Sequence, residues 1–201
     1  MTIHHPTAYY RSGPVEVRIV RTPEEFSMVW AIRGAVFLGE EDNITYYDEF
    51  NGNDFSATHM LAFVDGAPAG VIRIRYFAEF VLLERVGILR RYRSFAVFAA
   101  LARAALQLAR QKGYRTAAGR ARKDTVNLWK RFGGRISGQA IEMYRGTLIP
   151  VVHDIRPLTE KGEIPFGPFG DPAFEDLIVQ PEGNWDFSKA QAGPRALQAA
   201  E

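Results

Sequence analysis

Glu84-Arg85-Val86-Gly87-Ile88-Leu89-Arg90-Arg91-Tyr92-Arg93-Ser94-Phe95-Ala96-Val97-Phe98 is the stretch on which the fold turns. Residues 80–89 are too apolar to alternate cleanly and read as a central strand, buried on both sides. Residues 94–112 follow a short basic turn and place Val97, Leu101, Ala104, Ala105 and Leu108 on one helical face, with Gly113 at the C-terminal cap. Residues 115–121 read as the next strand. A strand, a helix and a strand in that order require one parallel pair.

Upstream, residues 15–21 alternate as a strand. Thr22-Pro23-Glu24-Glu25 then carries a capping box with proline at the first helical position. The helix that follows is expected to bury Phe26, Val29, Trp30, Ala35 and Phe37 and to end near Gly39. After an acidic, aromatic loop at 40–55, residues 60–64 and 69–76 flank Asp65-Gly66 as a hairpin. Downstream, residues 124–132 form a short helix stopped by Gly133-Gly134. Residues 135–143 and 147–155 close a second hairpin at Arg145-Gly146. The reading is an α+β domain: a mostly antiparallel mixed sheet with helices on both faces, spanning 15–155. An N-terminal arm (1–14) precedes it. A C-terminal extension (156–201) carries six of the eleven prolines and several aromatics, and residues 153–201 hold nine acids.

The 201 residues, 47% apolar and 24% charged, have the composition of a globular protein with a real core. The absence of cysteine excludes disulfides, thiolate metal sites and cysteine nucleophiles. Four scattered histidines lack metal-ligand spacing, so no metal site is expected. No apolar run is long enough to span a membrane, and residues 1–13 lack a secretory signal's order, so the expected location is cytoplasmic. The net charge of +2 conceals segregation. Residues 24–65 hold nine acids against Arg33 alone, and 85–135 hold eleven arginines and three lysines against Asp124 alone. Either the blocks neutralise each other in space, or the middle block holds a polyanionic ligand.

The segment 84–98, feeding an alanine-rich helix, resembles the GNAT superfamily of acyl-CoA-dependent N-acyltransferases. Leu128-Trp129-Lys130-Arg131-Phe132-Gly133 is similar to that family's L-Y-x-K-x-G-F segment. Arg33-x-x-x-Phe37, Asp48-Glu49-Phe50-Asn51-Gly52-Asn53-Asp54, His59-Met60-Leu61-Ala62 and Gly70-x-x-Arg73 resemble a branch of small bacterial acetyltransferases. The layout, with Arg85 after the acidic loop, also resembles the acyl-homoserine-lactone synthases and N-acyl amino acid synthases, which take their acyl group from acyl carrier protein. In the family, a Q/R-x-x-G-x-G/A loop and the helix behind it hold the coenzyme A pyrophosphate through backbone amides at a helix N-terminus. Here the loop reads either Arg93-Ser94-Phe95-Ala96-Val97-Phe98, with both glycines replaced, or Arg91-Tyr92-Arg93-Ser94-Phe95-Ala96, with serine and alanine at those positions. Trp129 stands where the family commonly has a tyrosine that protonates the departing thiolate, and an indole cannot serve as that acid.

The resemblance implies acetyl-CoA or another acyl-CoA as donor, with acyl carrier protein as the rival. Arg90, Arg91 and Arg93 are then expected at the donor's phosphates, and Ser94, Phe95, Ala96 and Val97 offer backbone amides. Acyl transfer to nitrogen requires a neutral amine, hence a base. Glu84 is the first candidate and Glu79 the second; the competing reading for Glu84 is an ion pair with Arg73 or Arg75. Asp48, Glu49 and Asp54 are placed on the acceptor side, steering a cationic amine or merely capping their loop. The acceptor is a small-molecule or protein amine, and the tail is a candidate homodimer contact. Two other classes stand beside the enzyme: a regulatory protein that kept the fold without the chemistry, and a nucleic-acid binder, disfavoured because no recognition helix or stacking platform is evident.

Overall fold

The computed structural model describes residues 9–40, 45–143 and 146–156. The chain divides after Pro165, and every described residue lies in the first unit. The extension, most of the arm and the turn residues Tyr144 and Arg145 lie outside the described residues.

Among the described residues, a nine-stranded sheet organises the molecule. Its strands are β1 (Tyr10–Ser12), β2 (Val15–Ile19), β3 (Thr58–Val64), β4 (Ala67–Tyr76), β5 (Val81–Ile88), β6 (Thr116–Arg122), β7 (Arg135–Ile136), β8 (Ile141–Met143) and β9 (Gly146–Asp154). The order is β1-β2-β3-β4-β5-β6-β9-β7, with β8 also on β9, and only β5–β6 is parallel. The sheet starts earlier than the sequence indicates: Tyr10–Ser12 pairs with β2 as an edge strand, so the arm is partly built into the sheet. The β3–β4 hairpin turns at Asp65 (φ 48°) and Gly66 (φ 80°), both left-handed, as a tight primed turn requires.

Helix α1 (Pro23–Arg33) packs on one face and α3 (Phe95–Gln111) on the other. Thr22 caps α1 by accepting from the Glu25 N–H at 3.2 Å, while the Glu25 carboxylate takes the Arg21 N–H at 2.8 Å. The helix then widens into a π-helical segment, Gly34–Leu38. The buried stripe therefore runs through Val29, Ile32, Arg33, Val36 and Phe37, packing on Leu61, Phe63 and Val71. Trp30 and Ala35, expected inside, are exposed: the buried positions 29, 32, 33, 36 and 37 follow i, i+3, i+4, i+7, i+8 spacing, which leaves both off the stripe, and Trp30 instead meets Phe26 and Phe50 edge-on. Along α3, Val97, Leu101, Ala104, Ala105 and Leu108 are all buried, as the periodicity predicts. Each large apolar side chain there contributes on the order of 1.5–3 kcal/mol. Short helices α2 (Tyr46–Glu49) and α4 (Val126–Lys130) complete the fold.

Two irregularities shape the centre. Between Val71 and Arg73 the β4–β5 register shifts, so Arg85 and Val86 together face Ile72, and Arg85 takes φ 54°. This bulge bends β5 at its middle. Beyond Leu83 and Gly119, β5 and β6 are no longer paired. The sheet splays where β5 runs toward the N-terminus of α3.

Candidate active site

A cleft of about 820 Å³ follows β5 through this splay. One end is lined by Asn51, Asn53, Arg73, Arg75, Leu82 and Glu84. The other is lined by Arg93, Ser94, Phe95, Phe98, Leu128 and Trp129, with Arg120 and Arg122 from β6 on its wall.

At the α3 end, a 3₁₀ turn (Arg90–Tyr92) leads into Ser94, whose hydroxyl caps the helix by accepting from the Val97 N–H at 3.3 Å. The Phe95 and Ala96 amides belong to the first helical turn and have no intrahelical acceptor, so they remain for an anion. The Val97 amide is already taken, which corrects its expected role. Among the three arginines, Arg93 lines the cleft; it donates to the Ile88 carbonyl at 3.1 Å and pairs with Glu40 at 2.9 Å. Arg90 and Arg91 are exposed on the turn and line no part of the cleft, and Arg91 lies over the Tyr92 ring. Phe98 is turned into the core, edge-on to Trp129 and Phe132. Its bulk therefore leaves the helix terminus open. Trp129 is buried between Phe98 and His153. Among the described residues, the cleft wall carries no tyrosine, histidine or cysteine.

At the other end, Glu84 lines the cleft and is bonded to Arg73, with Nη2 at 2.8 Å and Nε at 3.0 Å, while Arg75 Nε stands 3.8 Å away. All three contacts use Oε1, which leaves Oε2 as the oxygen able to take a proton. Glu79 is exposed in the β4–β5 turn and does not line the cleft, so the second candidate base is set aside.

Among its described residues, the carboxylates of the acidic loop are engaged. Glu49 and Asp54 are buried with Arg33 and Arg73. Arg33 reaches Glu49 Oε1 at 2.5 Å, Asp54 Oδ1 at 2.6 Å and the Glu49 carbonyl. Asp54 Oδ1 also accepts from Arg73 at 2.5 Å, and Arg85 Nε lies 3.0 Å from Glu49 Oε2. Burial alone would raise the Asp54 pKa, but hydrogen bonds from Arg33 and Arg73 and their charges bring it below its usual value. Asp48 closes a capping box with Thr45. Steering of a cation by Asp48, Glu49 and Asp54 is thus overturned: two are consumed in buried ion pairs and the third caps α2. The loop contributes Asn51 and Asn53 to the cleft instead. His59, also buried, donates from Nε2 to the Asp54 carbonyl at 3.1 Å, and burial drives its pKa down to about 4.

Arg33, Arg73 and Arg85 were not legible as the loop's partners from spacing alone. The available signal was a lone base in an acidic block, set in the apolar stripe of α1, and an arginine inside an apolar strand. Arg75, Arg120, Asn51 and Asn53 gave no such signal.

The described site is thus a mixed sheet splayed beside a helix N-terminus, with a strand carboxylate facing the opening. The family model of the acetyltransferase (GNAT) family matches residues 24–133, and the chain belongs to that family. A provisionally named acetyltransferase of Bacillus subtilis (strain 168) is 28% identical over 102 residues, covering 49% of this chain and 69% of that protein. Among solved structures, an acyl-CoA N-acyltransferase from Pseudomonas aeruginosa superposes with a TM-score of 0.61 at 19% identity, covering 69% of this chain and 99% of its own. FeeM, an N-acyl amino acid synthase from uncultured soil microbes, superposes with a TM-score of 0.60 at 14% identity, covering 70% and 91%. Among the described residues no helix is long and apolar enough to cross a membrane.

Proposed function

We propose that the protein moves an acyl group, by default acetyl, from a coenzyme A thioester to an amine by direct attack within the cleft along β5. The observation that carries this reading is the loss of β5–β6 pairing after Leu83 and Gly119, opening beside the first turn of α3. A splay of this kind leaves backbone groups free to bond an extended ligand arm, and the helix terminus receives its phosphates. The residues present suit such a donor: the first-turn amides of Phe95 and Ala96, and the Arg93 guanidinium.

Glu84 Oε2 receives the proton that the attacking nitrogen sheds, directly or through one water. Arg73 holds the Glu84 side chain in place from the far side. The bulge at Arg85 and Val86 bends β5 so that its backbone faces the thioester carbonyl, where an N–H stabilises the developing oxyanion. The nitrogen–carbon bond forms, the carbon–sulfur bond breaks, and the departing thiolate takes its proton from water, the described residues of the cleft wall including no tyrosine.

Acyl carrier protein as donor is the second reading. It is favoured by the exposed cations Arg90, Arg91, Lys130 and Arg131, flanking the α3 end of the cleft, which suit an acidic protein surface. An acyl-CoA chain-length series assayed beside acyl-loaded carrier protein separates the two. Amine-dependent thiol release from acetyl-CoA supports the first; release from loaded carrier alone supports the second; the absence of both rejects acyl transfer.

A further inference from the structure

The charge of the cleft is opposite to what an acidic acceptor loop leads one to expect. With Glu49 and Asp54 consumed by Arg33, Arg73 and Arg85, the carboxylates on the cleft wall among the described residues are Glu40, Glu84 and Asp124, against six arginines. Glu40 is engaged by Arg93, and Asp124 lies 3.5 Å from Arg122.

The excess sits around Glu84. Arg73 pairs with Glu84 and Arg75 with Leu82 across the β4–β5 ladder, and alternation along the strands puts all four on one face. Leu82 pairs with Ala118, so Arg120, two residues further along β6, lies on that same face beyond the last paired rung. Arg73 is satisfied by Asp54 and Glu84. The ion pairing of Arg75 is the long 3.8 Å approach to Glu84 Oε1, already the oxygen used by Arg73. Arg120 makes no ion pair among the described residues, although it lines the cleft. Two guanidiniums on flanking strands thus bracket the candidate base, and Asn51 and Asn53 line the same end of the cleft, the Asn51 Oδ1 accepting from Arg73 at 3.4 Å.

We propose that the acceptor is an amine that also bears an anionic group, of the α-amino-carboxylate type, and that Arg75 and Arg120 bind that anion so the nitrogen is held at Glu84. The inference rests on the acyl-transfer reading for its chemistry but not for its binding step. Arginine forks suit a planar carboxylate, and one anion offsets a cationic floor that would repel a lysine side chain or a polyamine. The anion also fixes orientation, since a carboxylate anchored between β4 and β6 leaves the amine of an α-amino acid pointing along β5.

The test uses the full chain and matched ligands: N-acetyl amino acids against their amides by calorimetry, and free amino acids against their amides and decarboxylated amines in the thiol-release assay. The expected result is that carboxylates bind at least about tenfold more tightly than amides and are acylated in preference. Arg120→Ala collapses that ratio, and Arg120→Lys restores part of it. Equal affinity for acid and amide, failure of the carboxylates to bind, or preference for cationic amines overturns the proposal. Efficient transfer to neutral amines with no carboxylate preference removes this inference and leaves acyl transfer standing. Carboxylate binding without any thioester turnover removes acyl transfer and leaves the anion site standing.

Discussion

Glu84 has one carboxylate oxygen committed to Arg73 and one left over, and this division sets what its removal does. Glu84→Gln preserves the shape of the side chain while deleting the proton acceptor. The expected outcome is a fall in kcat of about 10²-fold with the donor KM little changed, the loss shrinking as pH rises and the amine deprotonates unaided. An unchanged kcat would move the base elsewhere. Asp54 bears on stability rather than chemistry, because both Arg33 and Arg73 end on its Oδ1. Asp54→Ala leaves two buried guanidiniums short of a partner and is expected to cost about 3–5 kcal/mol in urea unfolding. His59 gives the pH dependence its sign. Its folded pKa of about 4 lies below the unfolded value of about 6.5, so its stabilisation is complete above pH 6.5 and is lost as pH falls toward 4. The loss amounts to roughly 3 kcal/mol, and the lowered Asp54 pKa adds a further loss below pH 4. Unfolding curves at stepped pH show this slope, and His59→Gln flattens the part between pH 6.5 and 4.

Among the elements, α3 begins at the proposed donor end, and its start was readable because serine before an alanine-rich apolar stripe is a strong cap signal. Ser94→Ala is expected to lower stability by about 1 kcal/mol and to leave the Val97 amide without its cap. If the melting temperature does not move, Ser94 is not the cap the geometry indicates. The mostly antiparallel sheet and its single parallel pair were also legible, since hairpin turns and one helical crossover leave few arrangements. Less legible was α1, where Arg33 holds a position on the buried stripe beside Val29, Ile32, Val36 and Phe37 while the apolar Trp30 and Ala35 face outward, so polarity misassigned the inner face. The bulge at Arg85 was equally hidden: no glycine marks it, and its left-handed backbone is held by ion pairing to Glu49 and a bond from Nη2 to the Asp48 carbonyl at 2.8 Å. Features imposed by tertiary ion pairing leave little trace in periodicity.

Across the whole molecule, the charge blocks find their explanation in two parts. Acidic residues of 24–65 meet bases of the middle block directly, Glu49 with Arg85 and Glu40 with Arg93, so mutual neutralisation accounts for some of the segregation. What remains is a set of arginines along the cleft and around its α3 end, facing where a phosphate-bearing donor and an anionic acceptor would lie. Donor affinity should accordingly fall as ionic strength rises, since exposed arginine–phosphate contacts are screened over about 10 Å at 0.1 M salt. Family membership and fold were legible because they reside in chain order and in the 84–98 segment. The sign of the acceptor end was not, because it depends on which carboxylates are buried. Calorimetric titration of coenzyme A into the protein, repeated with Arg93→Ala, tests the donor cleft most directly. Saturable binding at one site per chain, weakened about tenfold by the substitution, is expected; a flat titration with coenzyme A and acetyl-CoA alike would rule out a coenzyme A donor in this cleft.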